Sequence, residues 1–192
     1  MQEQADWYRY TLELPLLHAP GSYAAYCSAT VNLLGGVVRH ATGEWLVDLF
    51  ARDIARPLQF GPYAVNLGHN GDMYFAGGLR LRPRDFLKLG ETFLRGGVWN
   101  GRRVVPRAWV AAATRPRAKL NNGNTDGYNW WIQEIGGAAT YAAGGNGGQF
   151  VYVIPDRDLV VAFTGGGYGQ FRLMQGLAEE LLREYVLPAA AP

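Results

Sequence analysis

Tyr26 and Ser28 stand just before a long apolar run, in the segment YCSATVNLLGG that covers residues 26–36. A free tyrosine has a pKa of about 10 and is a poor base at neutral pH. A nearby cation lowers the pKa of a tyrosine, which can then exchange a proton with a nucleophile or a leaving group. A hydroxyl two positions later can hold a substrate amide or carbonyl. The pair is therefore a candidate for proton transfer and substrate binding.

A second candidate feature is the glycine-rich segment AAGGNGGQF, residues 142–150, which lies between two predicted strands. Glycines inside a strand allow a ligand to approach the backbone closely. Backbone N–H groups at such a place can face a carbonyl oxygen, which is the requirement for an oxyanion hole. The same segment also fits a tight connection between two strands, so the sequence leaves both interpretations open.

The overall composition excludes several classes of function. The net charge of the 192-residue chain is +2, which is too small to indicate a nucleic-acid partner. His18, His40 and His69 are far apart and match no metal-ligand spacing. The single cysteine, Cys27, excludes an internal disulfide, and we expect it to be a small buried residue. No apolar run approaches the length of a membrane span.

Helices are predicted mainly in the first two thirds of the chain. After an irregular stretch over residues 1–28, apolar spacing predicts a helix over 29–41 and a second one over 44–56, which Pro57 ends. A third helix is predicted in LRPRDFLKLGETFLRGG, and a short one begins at Pro106. Between them, Asn100-Gly101 is a typical hairpin turn. The polar stretch KLNNGNTDG is predicted to be a loop.

The last third of the chain is predicted to form an antiparallel sheet and one covering helix. Strands are predicted in YNWWIQEI, ATYAA, QFVYVI and LVVAFTG, which are rich in β-branched and aromatic residues. Trp130 and Trp131 should point to opposite faces of their strand. The predicted sheet-facing side of the final helix consists of Phe171, Met174, Leu177, Leu181, Leu182 and Tyr185.

This arrangement predicts an α+β fold. We expect a helical region over residues 1–120, which carries the tyrosine motif, and a sheet portion over 121–192. Together they are expected to form part of one domain.

Four segments occur in an informative order: YCSATVNLLGGVVRHATG, AGGLRLRPRDF, RGGVWNGRRVVP and AAGGNGGQFVYVIPDRDLVVAFTGG. Their order and spacing resemble those of the serine β-lactamase and penicillin-binding protein superfamily, in its class C and esterase-like branch. That branch carries a Y-x-N motif before a helix, G-G-L-x-x-x-P-x-D, and N-G-G-x-W-N-G. Its closing strands carry a K-T-G or H-x-G triplet. The resemblance extends from about Pro20 to the final helix.

The resemblance implies roles for particular residues. Tyr26 matches the catalytic tyrosine, which works in the family with a motif lysine as general base and acid. Ser28 matches the asparagine that helps to bind substrate. The sequence also allows Ser28 to cap the helix that follows it, and one residue can serve both roles.

The strand triplet of the family falls on Ala143, Gly144 and Gly145. The N–H of Asn146 would then be one of the two oxyanion donors, and the other would be the N–H of the nucleophilic serine. The expected substrate is a small ester, amide or lactam, and neither a metal nor an organic cofactor is implied. The resemblance leaves the compartment open, although members of the family are often periplasmic or secreted.

The nucleophile motif of the family, S-x-x-K, is absent from residues 1–192. The two serines, Ser22 and Ser28, are followed three positions later by Ala25 and Val31. We therefore expect the N-terminal strands and the nucleophile helix to be missing, so that the chain is the C-terminal portion of a longer enzyme. Two other arrangements remain open: a second chain carries S-x-x-K, or this chain is an inactive module with a binding role. The uncharged Ala143 favours esters or small amides over β-lactams.

Overall fold

The computed structural model describes residues 3–190, which form two compact units. The first unit contains the described residues up to Arg82 together with Leu120–Asn122. The second unit contains Pro83–Lys119 and the described residues from Gly123 onward.

Three helices form the frame of the first unit: α1 (Trp7–Leu12), α2 (Ser28–Thr42) and α3 (Leu46–Phe50), the last of which continues as a π-helical turn over Ala51–Ala55. The structure confirms the predicted helix at α2, which ends at Gly43 in the left-handed conformation. The α1 helix lies where the sequence pattern predicts irregular chain. The Asp6 carboxylate explains it, because it accepts hydrogen bonds from the backbone N–H groups of Tyr8 and Arg9.

Packing of α2 depends on two contacts made by small or polar residues. A Cβ atom at Gly35 would lie 2.9 Å from Cβ of Phe75, so this position admits no side chain. The Oδ1 atom of Asn32, a residue that is 1% exposed, accepts a hydrogen bond from the backbone N–H of Phe75 at 2.9 Å. These contacts fix the helix that begins at Ser28, shortly after Tyr26.

The second unit begins with α4 (Pro83–Leu94), the hairpin strands β1 (Val98–Trp99) and β2 (Arg102–Arg103), and α5 (Arg107–Ala113). These elements confirm the predicted helices and hairpin. A six-stranded antiparallel sheet follows, with its strands in sequence order. Its strands are β3 (Ala118–Lys119), β4 (Thr125–Gly127), β5 (Trp130–Ile135), β6 (Ala138–Gly145), β7 (Gln149–Ile154) and β8 (Leu159–Phe163).

The structure differs from the sequence prediction at KLNNGNTDG, where two of the six strands include residues of the expected loop. Lys119 belongs to β3, and Thr125–Gly127 forms β4. These short polar strands exist because β5 offers a backbone edge on which β4 pairs, with Thr125 opposite Ile132. Pairing with a neighbouring strand, and not local composition, decides their conformation.

The sheet carries a core cluster on each face, and β7, next to the edge strand β8, is its most buried strand. Residues 150–154 of β7 are at most 1% exposed. One face carries a core cluster around Trp131, Phe150 and Tyr152, and the other carries a cluster around Trp130 and Tyr141. The predicted opposite orientation of Trp130 and Trp131 is confirmed, and each ring is only 8% exposed.

The chain ends in α6 (Phe171–Leu181), a π-helical turn (Leu182–Val186) and α7 (Leu187–Ala189). The predicted covering helix is present, but its predicted buried face is only partly right. Met174, Ala178 and Leu182 follow one line at i, i+4 spacing and pack in the Trp131 cluster. Leu177, Leu181 and Tyr185 lie on the neighbouring line and are 45%, 44% and 67% exposed.

Within residues 3–190, no helix combines the length and the apolar character that crossing a bilayer requires. The helices are instead short and amphipathic, with one side in contact with the sheet or with a neighbouring helix.

The neighbouring leucines of the last helical segment provide a test of this packing. We expect Leu182→Ala to lower the free energy of unfolding by about 2–5 kcal/mol, because Leu182 is fully buried. Leu181→Ala is the matched control and should change it by about 0.5 kcal/mol or less. Urea unfolding of the two variants measures the difference. Equal effects would contradict the assignment of the buried face.

Candidate active site

Tyr26 lies in the first unit, on an extended segment that leads into α2. The segment is held by the Ala24 carbonyl, which accepts a hydrogen bond from the Asn121 backbone N–H at 3.0 Å. The Tyr26 side chain is 44% exposed. Among the described residues, none forms a hydrogen bond or an ion pair with its hydroxyl group. A group that enters the site therefore meets this hydroxyl without displacing a protein partner.

Ser28 is the first residue of α2, and Cys27 occupies the N-cap position. The prediction that Ser28 caps this helix is therefore wrong, because the helix begins one residue earlier than its apolar spacing suggests. The Cys27 carbonyl accepts from the Val31 N–H and from the Thr30 hydroxyl. The Ser28 hydroxyl has no hydrogen-bond partner among the described residues, and its role in substrate binding stays a prediction.

Cys27 is exposed, which corrects the expectation that it is a small buried residue. The reason is its position between the extended Tyr26 segment and the first turn of α2, where no core element covers it.

The end of β6 has an open backbone edge. Pairing between β5 and β6 stops at Trp131 opposite Ala142, whereas pairing between β6 and β7 continues to Gly145 opposite Gln149. Within residues 3–190, the backbone of Ala143–Gly145 thus has no strand partner on its β5 side. An open edge presents unpaired N–H and C=O groups, which can hold a carbonyl oxygen or an extended ligand.

Different structural constraints apply to the two glycines at the end of β6. A Cβ atom at Gly144 would lie 2.6 Å from the Trp131 ring and 2.7 Å from the Phe150 ring, so core packing requires glycine there. A Cβ atom at Gly145 would meet only Gln149, at an ordinary 3.6 Å. Packing therefore explains Gly144, whereas neither packing nor a positive φ explains Gly145. Gly145 is the position at which close approach by a ligand would favour glycine.

Asn146 begins the turn between β6 and β7, and a second loop holds that turn in place. The Oδ1 atom of Asn146 accepts a hydrogen bond from the Gly169 N–H at 2.9 Å. The Gly167 N–H donates to the Gly147 carbonyl at 3.1 Å. The Gln149 side-chain amide donates to the Gly165 carbonyl. The loop that follows β8 therefore belongs to this site.

Sequence reasoning missed the contribution of the GGGYG loop, residues 165–169. The sequence feature that could have indicated this loop is its own cluster of glycines, which follows the last predicted strand. Only the pairing of the two loops, through Gly147 and Gly167, makes its meaning evident.

The remaining residues singled out in the sequence do not form a site in the structure. His18, His40 and His69 are exposed, and the His18 ring lies against Tyr23 with the ring centroids 4.2 Å apart. In the described part of the chain, no group of three or more histidine, cysteine, aspartate or glutamate side chains is placed to hold a metal ion.

Comparison with protein families decides the classification. The family described as Beta-lactamase matches residues 1–172. The chain belongs to the beta-lactamase family. This beta-lactamase family chain is 27% identical over 171 residues to the 6-aminohexanoate-dimer hydrolase of Paenarthrobacter ureafaciens. The match covers 83% of the chain and 43% of the hydrolase, so the chain spans less than half the length of this curated relative.

Solved structures show the same fold at low sequence identity. A penicillin-binding protein homologue from Caulobacter crescentus matches with a TM-score of 0.69 and 16% identity, over 93% of this chain and 67% of that one. A family VIII carboxylesterase matches with a TM-score of 0.71 and 16% identity, over 91% and 63%. The predicted β-lactamase-like α+β fold, with its antiparallel sheet and C-terminal helix, is thereby confirmed.

The family match and the geometry together describe a serine hydrolase-like module. The motifs that carry the resemblance lie on two units, with Tyr26 and Ser28 in the first, and Ala143, Gly144 and Asn146 in the second.

Substitution of the two glycines at the end of β6 tests whether core packing requires glycine at one position only. We expect Gly144→Ala to lower the free energy of unfolding by about 1–3 kcal/mol, because the added methyl group overpacks the core. Gly145→Ala should change it by about 0.5 kcal/mol or less. Chemical unfolding of both variants measures the contrast. Equal destabilisation would show that Gly145, too, is required by the fold.

Proposed function

We propose that this chain supplies the tyrosine and the oxyanion strand of a serine acyl hydrolase that works through an acyl-enzyme. The observation that carries the proposal is the open backbone edge at Ala143–Gly145, which ends at the fixed turn of Asn146. Membership of the beta-lactamase family supports it.

In the proposed mechanism, a serine supplied from an S-x-x-K segment attacks the carbonyl carbon of an ester, amide or lactam. The motif lysine and Tyr26 take the proton of that serine and deliver a proton to the leaving group. The negative charge that develops on the carbonyl oxygen is held by the Asn146 N–H and by the N–H of the serine. Water then attacks the acyl-enzyme and releases the acid.

Substrate contacts follow from the same residues. The Ser28 hydroxyl can donate or accept a hydrogen bond at an amide or a carbonyl group of the substrate. Ala143 occupies the position at which the family triplet carries a basic residue, and it offers no charge to a substrate carboxylate. Esters and small amides are therefore favoured over penicillins.

Two surfaces of the second unit support completion by the segment that carries S-x-x-K. The β8 strand is the last strand of the sheet, and its five residues are only half-buried. In addition, α6 and the following turn expose a line of apolar side chains at i, i+4 spacing: Leu173, Leu177, Leu181 and Tyr185. An added strand and an amphipathic helix would cover them, and more than half of the curated relative lies outside the match.

An isolated chain of 192 residues should therefore bind an apolar dye. We expect anilinonaphthalene sulfonate fluorescence to rise with the wild-type chain, and to rise less with the double variant Leu177→Glu, Leu181→Glu, because both leucines are exposed on α6. A cooperative monomer that binds no dye would contradict the need for a completing segment.

The alternative function is a binding module that performs no chemistry. The observation that favours it is the absence of S-x-x-K from residues 1–192. It predicts that neither the reading frame upstream of Met1 nor a neighbouring gene encodes that motif.

The deciding experiment reads the DNA upstream of Met1 and assays the encoded protein on a neutral ester. We expect an S-x-x-K motif at the start of a predicted helix. In that protein, Tyr26→Phe should lower kcat by about 10²–10⁴-fold, the usual contribution of general acid–base catalysis. Tyr23→Phe is the matched control, since Tyr23 is also exposed and lies on the same segment.

Two outcomes would contradict the proposal in different ways. Absence of the motif from the frame and from its neighbours would favour the binding module. An active enzyme in which Tyr26→Phe retains its kcat would remove the role of Tyr26 while leaving the acyl-enzyme mechanism in place.

A further inference from the structure

A frame of backbone and side-chain contacts fixes the loop of residues 165–169 against the candidate oxyanion turn. The loop donates two backbone N–H groups, one to Asn146 and one to Gly147, and its Gly165 carbonyl accepts from Gln149. The position of each residue in the loop is thereby set relative to the Asn146 N–H.

The Met174 side chain of α6 packs against both loops. A Cβ atom at Gly148 would lie 2.5 Å from Cε of Met174, and one at Gly165 would lie 2.8 Å from the same atom. A Cβ atom at Gly167 would collide with the Met174 sulfur. The glycines in both loops let the loop backbones lie directly against this one side chain.

Tyr168 is the large side chain that this frame presents to solvent. Its ring lies against Gly147, because a Cβ atom there would be 2.8 Å from Cε1 of Tyr168. The residue is nevertheless 69% exposed, so core packing does not explain it. An exposed aromatic ring held against Gly147, the residue next to the candidate oxyanion donor Asn146, is suited to contact a ligand.

Charged side chains are absent from the two segments that carry these loops, and Arg172, in the first turn of α6, is the nearest one to Tyr168 in sequence. No aspartate, glutamate, lysine or arginine occurs in residues 141–154 or in residues 159–171. These segments therefore offer backbone N–H groups, which attract the oxygen of a polarised carbonyl, and an aromatic face, which packs against apolar groups. A ligand with an apolar group beside its carbonyl fits this combination.

We propose that Tyr168 is a specificity-determining residue, whose ring receives an aryl or bulky alkyl group attached to the reacting carbonyl of a neutral ester or amide. The inference rests on the proposed function, since it takes Asn146 as the group that faces the carbonyl oxygen. It adds a residue, and a substrate class, that the matched motifs do not contain.

The test is a binding measurement on the full chain, which needs no nucleophile. Benzamide and acetamide are titrated while the backbone N–H signals of Asn146 and Gly147 are followed by NMR. We expect benzamide to shift both signals and to bind more tightly than acetamide, which lacks the ring. Tyr168→Ala should weaken benzamide about fivefold, the size of one aromatic contact, and Tyr168→Phe should retain it.

The control is Tyr185→Ala, because Tyr185 is 67% exposed and lies after α6, away from these loops in sequence. Thermal unfolding of each variant verifies that the fold is kept. Wild-type benzamide affinity in Tyr168→Ala would overturn the inference, as would equal affinity for acetamide and benzamide, or unshifted Asn146 and Gly147 signals. A completed enzyme that hydrolyses no ester would instead count against the proposed function and leave a positive binding result standing.

Discussion

The antiparallel pairing of β6 with β7 determines most of what is distinctive in the second unit. It runs from Tyr141 opposite Val153 to Gly145 opposite Gln149, past the point at which β5 separates from β6. Because residues 150–154 of β7 are fully buried, this pairing is anchored in both core clusters. The open backbone edge of Ala143–Gly145 therefore belongs to a rigid strand, which is the condition for pre-organised binding of a developing charge.

Glycine serves three separate purposes around this strand. Gly144 makes room for two core rings, and the glycines at 147 and 148 adopt positive φ in the turn. Gly145 meets neither condition and is left as the position open to a ligand. A cluster that looks uniform in the sequence thus divides into parts explained by packing, by backbone conformation and by the proposed chemistry.

Only one side of the C-terminal helix is covered by the described residues. One line of α6 side chains packs on the sheet, and the next line is apolar and exposed. The edge strand β8 is also only half-buried. Apolar surface of this regularity is typical of an interface. The proposed completing segment and the acyl-enzyme mechanism therefore form one hypothesis: the segment that covers this apolar surface also carries the nucleophilic serine.

The sequence by itself determined the elements whose residues repeat at a clear period, such as α2, β7 and the alternation of Trp130 and Trp131, because periodicity reflects which side faces the core. It also determined the family, since motif order survives where overall identity is low. Only tertiary structure decided the rest. The β4 strand forms because β5 offers a backbone edge. Ser28 does not cap α2 because the helix begins one residue earlier than predicted. Leu177 is exposed because the helix packs on the sheet through the line of side chains that contains Met174. Tyr168 becomes a candidate site residue through loop-to-loop hydrogen bonds, which no local pattern encodes.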